Sequence, residues 1–120
     1  MYILIVDDER EFLELMTNRL QKRGFTVEVA PTGEEALELV EKNTYDAMVL
    51  DVKMPGIDGI EVLRRVKLMQ PDLPVLLLTG HASIEAAMTG VETGAVDYLL
   101  KPVPINDLII RLKDIAARKG

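Results

Sequence analysis

The sequence predicts an α/β domain, a parallel sheet with helices on both faces. Five short apolar runs alternate strictly with five stretches of helical spacing. The connections between them are short. The first, third and fourth runs are almost wholly apolar, as strands covered on both faces of a parallel sheet are.

The elements follow in order along the chain. Tyr2–Val6 is the first strand, and Leu13, Met16 and Leu20 mark the first helix, which stops before Gly24. Thr26–Ala30 is the second strand, followed by a helix marked by Ala36, Leu37 and Val40. Ala47–Leu50 is the third strand, and Ile60, Leu63 and Val66 mark a helix that ends before Pro71. Val75–Leu78 is the fourth strand. Ile84, Met88 and Val91 mark the fourth helix, with Gly94 as the residue that ends it. Tyr98–Leu100 is the fifth strand, and Ile105, Leu108, Ile109, Leu112 and Ile115 mark the fifth helix. No linker, repeat or low-complexity stretch interrupts this pattern, so residues 1–120 are expected to form one domain.

Composition narrows the function. Hydrophobic residues make up 48% and charged residues 28%, which argues against disorder. Fourteen Lys and Arg face twenty Asp and Glu, a net charge of -6, which disfavours direct binding of DNA or RNA. Such a domain suits a cation, or a partner that docks on a local patch. The absence of Cys excludes disulfides, thiolate metal sites and a Cys nucleophile, and fits the reducing cytoplasm. No apolar run approaches the roughly 18 residues of a membrane span, and the start lacks the basic region of a secretion signal.

Ligands of open α/β sheets bind beyond the carboxyl ends of the strands. Asp7, Asp8 and Glu9 follow the first strand, and Asp51 ends the third. Thr79, Gly80 and His81 follow the fourth, and Lys101-Pro102 follows the fifth. A helix cap accounts for one aspartate but not for three together with a lysine. Three close carboxylates repel, so at least one pKa should rise unless a cation is present. Hard oxygen donors without Cys select Mg²⁺, which keeps several waters and leaves room for a phosphoryl oxygen. Lys101 and Thr79 then supply a point charge and a hydroxyl donor for the other phosphoryl oxygens. Asp51, alone at the end of the central strand, is the best-placed acceptor carboxylate. The Pro/Gly turn from Met54 to Gly59 can bend a backbone carbonyl just after Asp51 toward the metal.

These residues resemble the receiver domain of the bacterial two-component response regulators. The resemblance rests on Ile5-Val6-Asp7-Asp8-Glu9, on Leu50 to Gly59, on Leu78-Thr79-Gly80 and on Tyr98-Leu99-Leu100-Lys101-Pro102, in that order over the whole chain. It implies a flavodoxin-like, doubly wound five-stranded sheet of order 2-1-3-4-5. It implies that Asp51 accepts a phosphoryl group from a histidine kinase or phosphotransfer protein. Asp8, Asp51 and the backbone carbonyl of Lys53 then resemble the Mg²⁺ ligands, and Asp7 the second acid, acting mostly through water. Thr79 resembles the switch hydroxyl, Tyr98 the aromatic that follows it, and Lys101 the lysine that pairs with the phosphoryl group, with a cis Lys101-Pro102 bond. The resemblance also implies that Lys53 and His81 occupy the positions that tune dephosphorylation.

Other residues read more plainly. Tyr98 alone would be a core tyrosine, and a lone His81 cannot build a metal site. Asp58 and Gly59 serve the start of the third helix, Asp46 is a turn residue, and Arg64-Arg65 and Arg118-Lys119 are solvated faces. The fourth helix has little side-chain cover, and Ile110 lies roughly 140° from Ile105 around the fifth. A contact surface is expected there, and the resemblance implies a homodimer or output face of helix 4, strand 5 and helix 5. The Thr79-Gly80-His81 stretch resembles receivers of nitrogen-type sigma-54 activators, which points to transcription as the output. The alternatives are a single-domain, chemotaxis-like regulator and an aspartyl-phosphate phosphohydrolase. The latter would need an acid where Lys53 stands. A flavodoxin-like FMN protein would need a phosphate loop where Asp7-Asp8-Glu9 stands.

Overall fold

A computed structural model of the chain describes residues 1–119, with side chains through 118. The strands are β1 (Tyr2–Val6), β2 (Thr26–Ala30), β3 (Ala47–Asp51), β4 (Val75–Thr79) and β5 (Asp97–Leu100). The helices are α1 (Arg10–Gln21), α2 (Gly33–Lys42), α3 (Gly59–Met69), α4 (Ile84–Thr93) and α5 (Ile105–Lys119), with a 3₁₀ turn over His81–Ser83. All strands are parallel, in the order β2-β1-β3-β4-β5. The order reverses between β1 and β3, so the residues that leave these two strands face a common crevice.

The ladders run further than the apolar runs do. Asp51 pairs with Leu78 and Thr79 with Leu100, so β3 and β4 each end one residue later than expected, on a polar side chain. Val52 N–H donates to Leu78 O at 2.9 Å and Lys101 N–H to Thr79 O at 2.7 Å, which holds the strand ends together. Backbone pairing therefore fixes Asp51 and Thr79 in the sheet.

Alternate strand residues feed two cores. Leu4, Val6, Leu50 and Leu77 meet α2, α3 and α4, where Val40, Val62, Leu63, Val66 and Ala87 are buried. Ile3, Ile5, Val49, Leu76 and Leu78 meet α1 and α5 through Leu13, Met16, Leu108, Leu112 and Ile115. Thr32 caps α2 by accepting Glu35 N–H at 3.1 Å, and Asp58 caps α3 by accepting Ile60 N–H at 2.8 Å, as the sequence suggested for Asp58. Asp46 does more than turn the chain, since its carboxylate accepts Tyr2 N–H at 2.7 Å at the start of β1. Arg64 and Arg65 are exposed and both pair with Glu61; Arg118 pairs with Asp114, while the Lys119 side chain lies outside the described residues.

One helix is rotated from expectation. The Ile84, Met88, Val91 stripe does not line the core of α4; Met88 is 54% exposed, and Ala87 and Gly90 are buried instead. A Cβ at Gly90 would lie 2.4 Å from Leu77 Cδ1 and 3.0 Å from Ile60 Cδ1. Here α4 approaches the sheet by close backbone contact, which small residues permit and a hydrophobicity pattern does not register. Gly94 ends the helix at φ +132°, and Ile110 is exposed, both as expected. No described helix is long and apolar enough to cross a membrane.

Candidate functional site

The crevice between β1 and β3 gathers the acidic residues. Asp7 leaves β1 with its N–H donating to Ala30 O at 3.1 Å, and its side chain is fully buried. Its Oδ1 accepts Glu9 N–H at 2.9 Å. Asp8 is exposed beside it. Asp51 is 6% exposed, and its Oδ1 accepts Lys53 N–H at 3.2 Å. Asp7, Asp8 and Asp51 each offer one oxygen, and these oxygens lie within 4.8 Å of one another.

Lys101 closes the site from the end of β5, and the Lys101-Pro102 peptide is cis, as the resemblance implied. Its Nζ lies 2.6 Å from Asp7 Oδ2, 3.1 Å from Glu9 Oε1 and 3.5 Å from Asp51 Oδ2. It also sits 4.6 Å from the centre of the Phe12 ring, within cation–π range. Glu9 and Phe12 had no assigned role. The acidic run Asp7-Asp8-Glu9 carried a signal for the former; nothing in the sequence pairs Phe12 with a lysine on another strand.

The remaining candidates surround this centre. Thr79 is buried at the end of β4, and its hydroxyl donates to Gly80 O at 3.0 Å. Tyr98, half-buried on β5, packs against the core under α2, α3 and α4. Lys53 is exposed and lines an open recess of about 500 Å³ together with Met54, Asp58, Ala82, Ser83 and Glu85. His81 is exposed on the 3₁₀ turn across from that loop.

Charge at the centre is unbalanced. Burial pushes the Asp51 carboxyl up to about 6, the Asp7 charge adds to the rise, and Lys101 and the Lys53 N–H only partly oppose it. Burial also raises Asp7, against the pull of Lys101. Burial disfavours the Lys101 ammonium too, but Asp7, Asp51 and Glu9 together hold its pKa above the usual range. One lysine therefore shares its charge among several carboxylates. This donor set fits a hard divalent cation. At bonds of about 2.1 Å an octahedral ion spaces its oxygens roughly 3 to 4 Å apart, a span the three aspartates can meet.

Comparison with known proteins gives a consistent result. A family model described as the response regulator receiver domain matches residues 3–113. Response regulator MprA of Mycobacterium sp. (strain KMS) is 42% identical over 116 residues, 97% of this chain and 50% of that protein. MprA of Mycobacterium leprae (strain TN) is 42% identical over 118 residues, 98% of this chain and 52% of that protein. The chain thus spans about half the length of these curated relatives. Among solved structures, the receiver domain of the Francisella response regulator 1452 superposes with a TM-score of 0.91 at 34% identity, covering 99% of this chain and 98% of that one. The receiver domain of NtrX from Brucella abortus superposes with a TM-score of 0.90 at 30% identity, covering 96% and 98%.

Proposed function

Because the chain belongs to the response regulator receiver domain family, we propose that Asp51 is its phosphoacceptor in two-component signalling. A carboxylate oxygen of Asp51 attacks the phosphorus of a phosphohistidine on a histidine kinase or phosphotransfer protein. The P–N bond breaks as the O–P bond forms, and the leaving imidazole nitrogen takes up a proton. The observation that carries this reading is the buried Asp51 at the end of the central strand, grouped with Asp7 and Asp8 and 3.5 Å from the Lys101 ammonium.

Asp8, Asp51 and the backbone carbonyl of Lys53 would hold Mg²⁺, with Asp7 acting mostly through water, and the ion when bound would supply neutralisation of the charge that builds on the transferring phosphoryl group. Lys101 leaves Asp7 and Glu9 in part to pair with a phosphoryl oxygen. Thr79 turns its hydroxyl from Gly80 O toward another, and Tyr98 follows inward. The face of α4, β5 and α5, with Met88, Leu100 and Ile110 exposed, is then the surface that changes for a homodimer or an output. That output is transcription, in the manner of a sigma-54 activator receiver, or contact with a protein partner. The domain itself binds no nucleic acid and no membrane, acts in the cytoplasm, and catalyses only its own phosphorylation and dephosphorylation.

Incubation with acetyl phosphate and Mg²⁺, followed by intact-mass measurement, tests the reading. One added phosphoryl group is expected, and none when EDTA is present during the incubation or when Asp51 is replaced in Asp51→Asn. An Asp51→Asn protein that still gains the group would overturn it.

A further inference from the structure

We propose that Glu34, at the start of α2, is a positioning residue for the β3–α3 loop and so for the cation end of the site. The inference rests on the reading of Asp51, Asp8 and Lys53 given above. That loop, residues 52–58, runs directly from Asp51 and contributes Lys53, whose N–H donates to Asp51. Its far half is tied to a different part of the chain. Ile57 N–H donates to Glu34 Oε1 at 3.2 Å, 23 residues away in sequence.

The contact is built on both sides. Gly33 is buried, and a Cβ there would lie 2.3 Å from Ile57 Cγ2 and 2.7 Å from Val62 Cγ2. The start of α2 is thus bare backbone where Ile57 lies against it. The Glu34 carboxylate also lies beside Gly56, 3.4 Å from where a Cβ of that residue would stand. Upstream, α2 is anchored to the site by the sheet, because Asp7 N–H donates to Ala30 O at 3.1 Å at the end of β2. The segment from Ala30 to Glu34 is therefore held to Asp7 at one end and to Ile57 at the other, each by a hydrogen bond. Among the described residues, Glu34 supplies the one side-chain hydrogen bond that joins α2 to this loop. Its loss frees the loop to move relative to Asp7 and Asp8, which loosens the cation site while leaving the carboxylates themselves intact.

The test compares Glu34→Ala, Glu34→Gln and Glu35→Ala. Glu35 is also exposed in the first turn of α2, so its removal changes the charge equally but spares the loop contact. Glu34→Gln keeps an acceptor oxygen. The primary readout needs no phosphorylation: Mg²⁺ affinity by calorimetry, with amide hydrogen exchange of Ile57 in the metal-free protein. Glu34→Ala should weaken Mg²⁺ binding roughly threefold to tenfold, as loss of one hydrogen bond would, and speed exchange at Ile57. Glu34→Gln should restore most of both, and Glu35→Ala should match wild type. With acetyl phosphate, Glu34→Ala should raise the Mg²⁺ needed for half-maximal rate and leave the rate at saturating Mg²⁺ nearly unchanged. Equal Mg²⁺ affinity in Glu34→Ala and wild type would overturn the proposal, as would equal weakening in Glu34→Ala and Glu35→Ala. Loss of Asp51 as phosphoacceptor would show separately, in Asp51→Asn retaining phosphorylation.

Discussion

Replacing Asp51 with asparagine should stabilise the metal-free protein at neutral pH and leave it unchanged in acid. The folded-state pKa of Asp51 is pushed from 3.8 to about 6 by burial and by Asp7. A raised carboxyl pKa means that the native state holds a proton the unfolded chain has lost. Its contribution is therefore complete below the unfolded pKa and disappears as pH rises through about 6. A gap of about two pKa units corresponds to ~3 kcal/mol of charge strain above neutrality. Asparagine keeps an acceptor for Lys53 N–H but gives up the 3.5 Å ion pair with Lys101. The attraction of that pair is already contained in the folded pKa, so a net gain of ~1–3 kcal/mol is expected at about pH 7.5. In melting temperature this is roughly 5–10 °C for a domain of this size. Urea denaturation with EDTA, run from about pH 4 to pH 8, would show the two proteins converging in acid and separating as pH rises. Saturating Mg²⁺ should then stabilise the wild type selectively. A pH-independent difference, or a less stable Asp51→Asn at neutral pH, would refute the reasoning.

Asp7→Asn should lower the Asp51 pKa, because it removes a neighbouring charge and frees Lys101 for Asp51; a carboxyl-carbon NMR titration measures it, and an unmoved value would contradict the electrostatics. Its gain in apo stability should be smaller than that of Asp51→Asn, since Asp7 makes the 2.6 Å pair with Lys101. On α4, Gly90→Val should destabilise by ~2 kcal/mol through overpacking against Leu77, whereas Met88→Gln should stay within about 0.5 kcal/mol in urea denaturation. The reverse ranking would restore the Met88 stripe to the core. Lys53→Asn with His81→Glu should shorten the phosphorylated lifetime about tenfold, or ~1.4 kcal/mol of barrier, because the exposed Lys53 and His81 then no longer obstruct or fail to activate the attacking water. Decay of phosphoryl label without kinase measures this, and an unchanged rate would exclude gating by these side chains.

The order of strands and helices was legible because apolar runs and 3.6-residue stripes follow directly from which faces are buried. Asp7, Asp8, Asp51 and Lys101 were legible as a set because each ends a strand or lies within two residues of its end, and parallel strands deliver those positions to one edge. The strand order itself came from resemblance, since periodicity carries no information about neighbours. The buried face of α4 was misread because Ala87 and Gly90 make close contact with almost no hydrophobic signal. Lys101 against Phe12, and Glu34 against Ile57 N–H, were invisible for another reason. These contacts join segments far apart in sequence, one through a backbone donor and one through a ring, and no local pattern encodes either.

Chemical trapping of the phosphorylated residue tests the central claim most directly. An aspartyl phosphate is an acyl phosphate, which borohydride reduces to homoserine, so the modified position can be read by peptide sequencing. After treatment with acetyl phosphate and Mg²⁺, homoserine is expected at position 51 alone, with Asp7, Asp8 and Asp58 recovered as aspartate. Homoserine at any of those three positions with residue 51 intact would contradict the account.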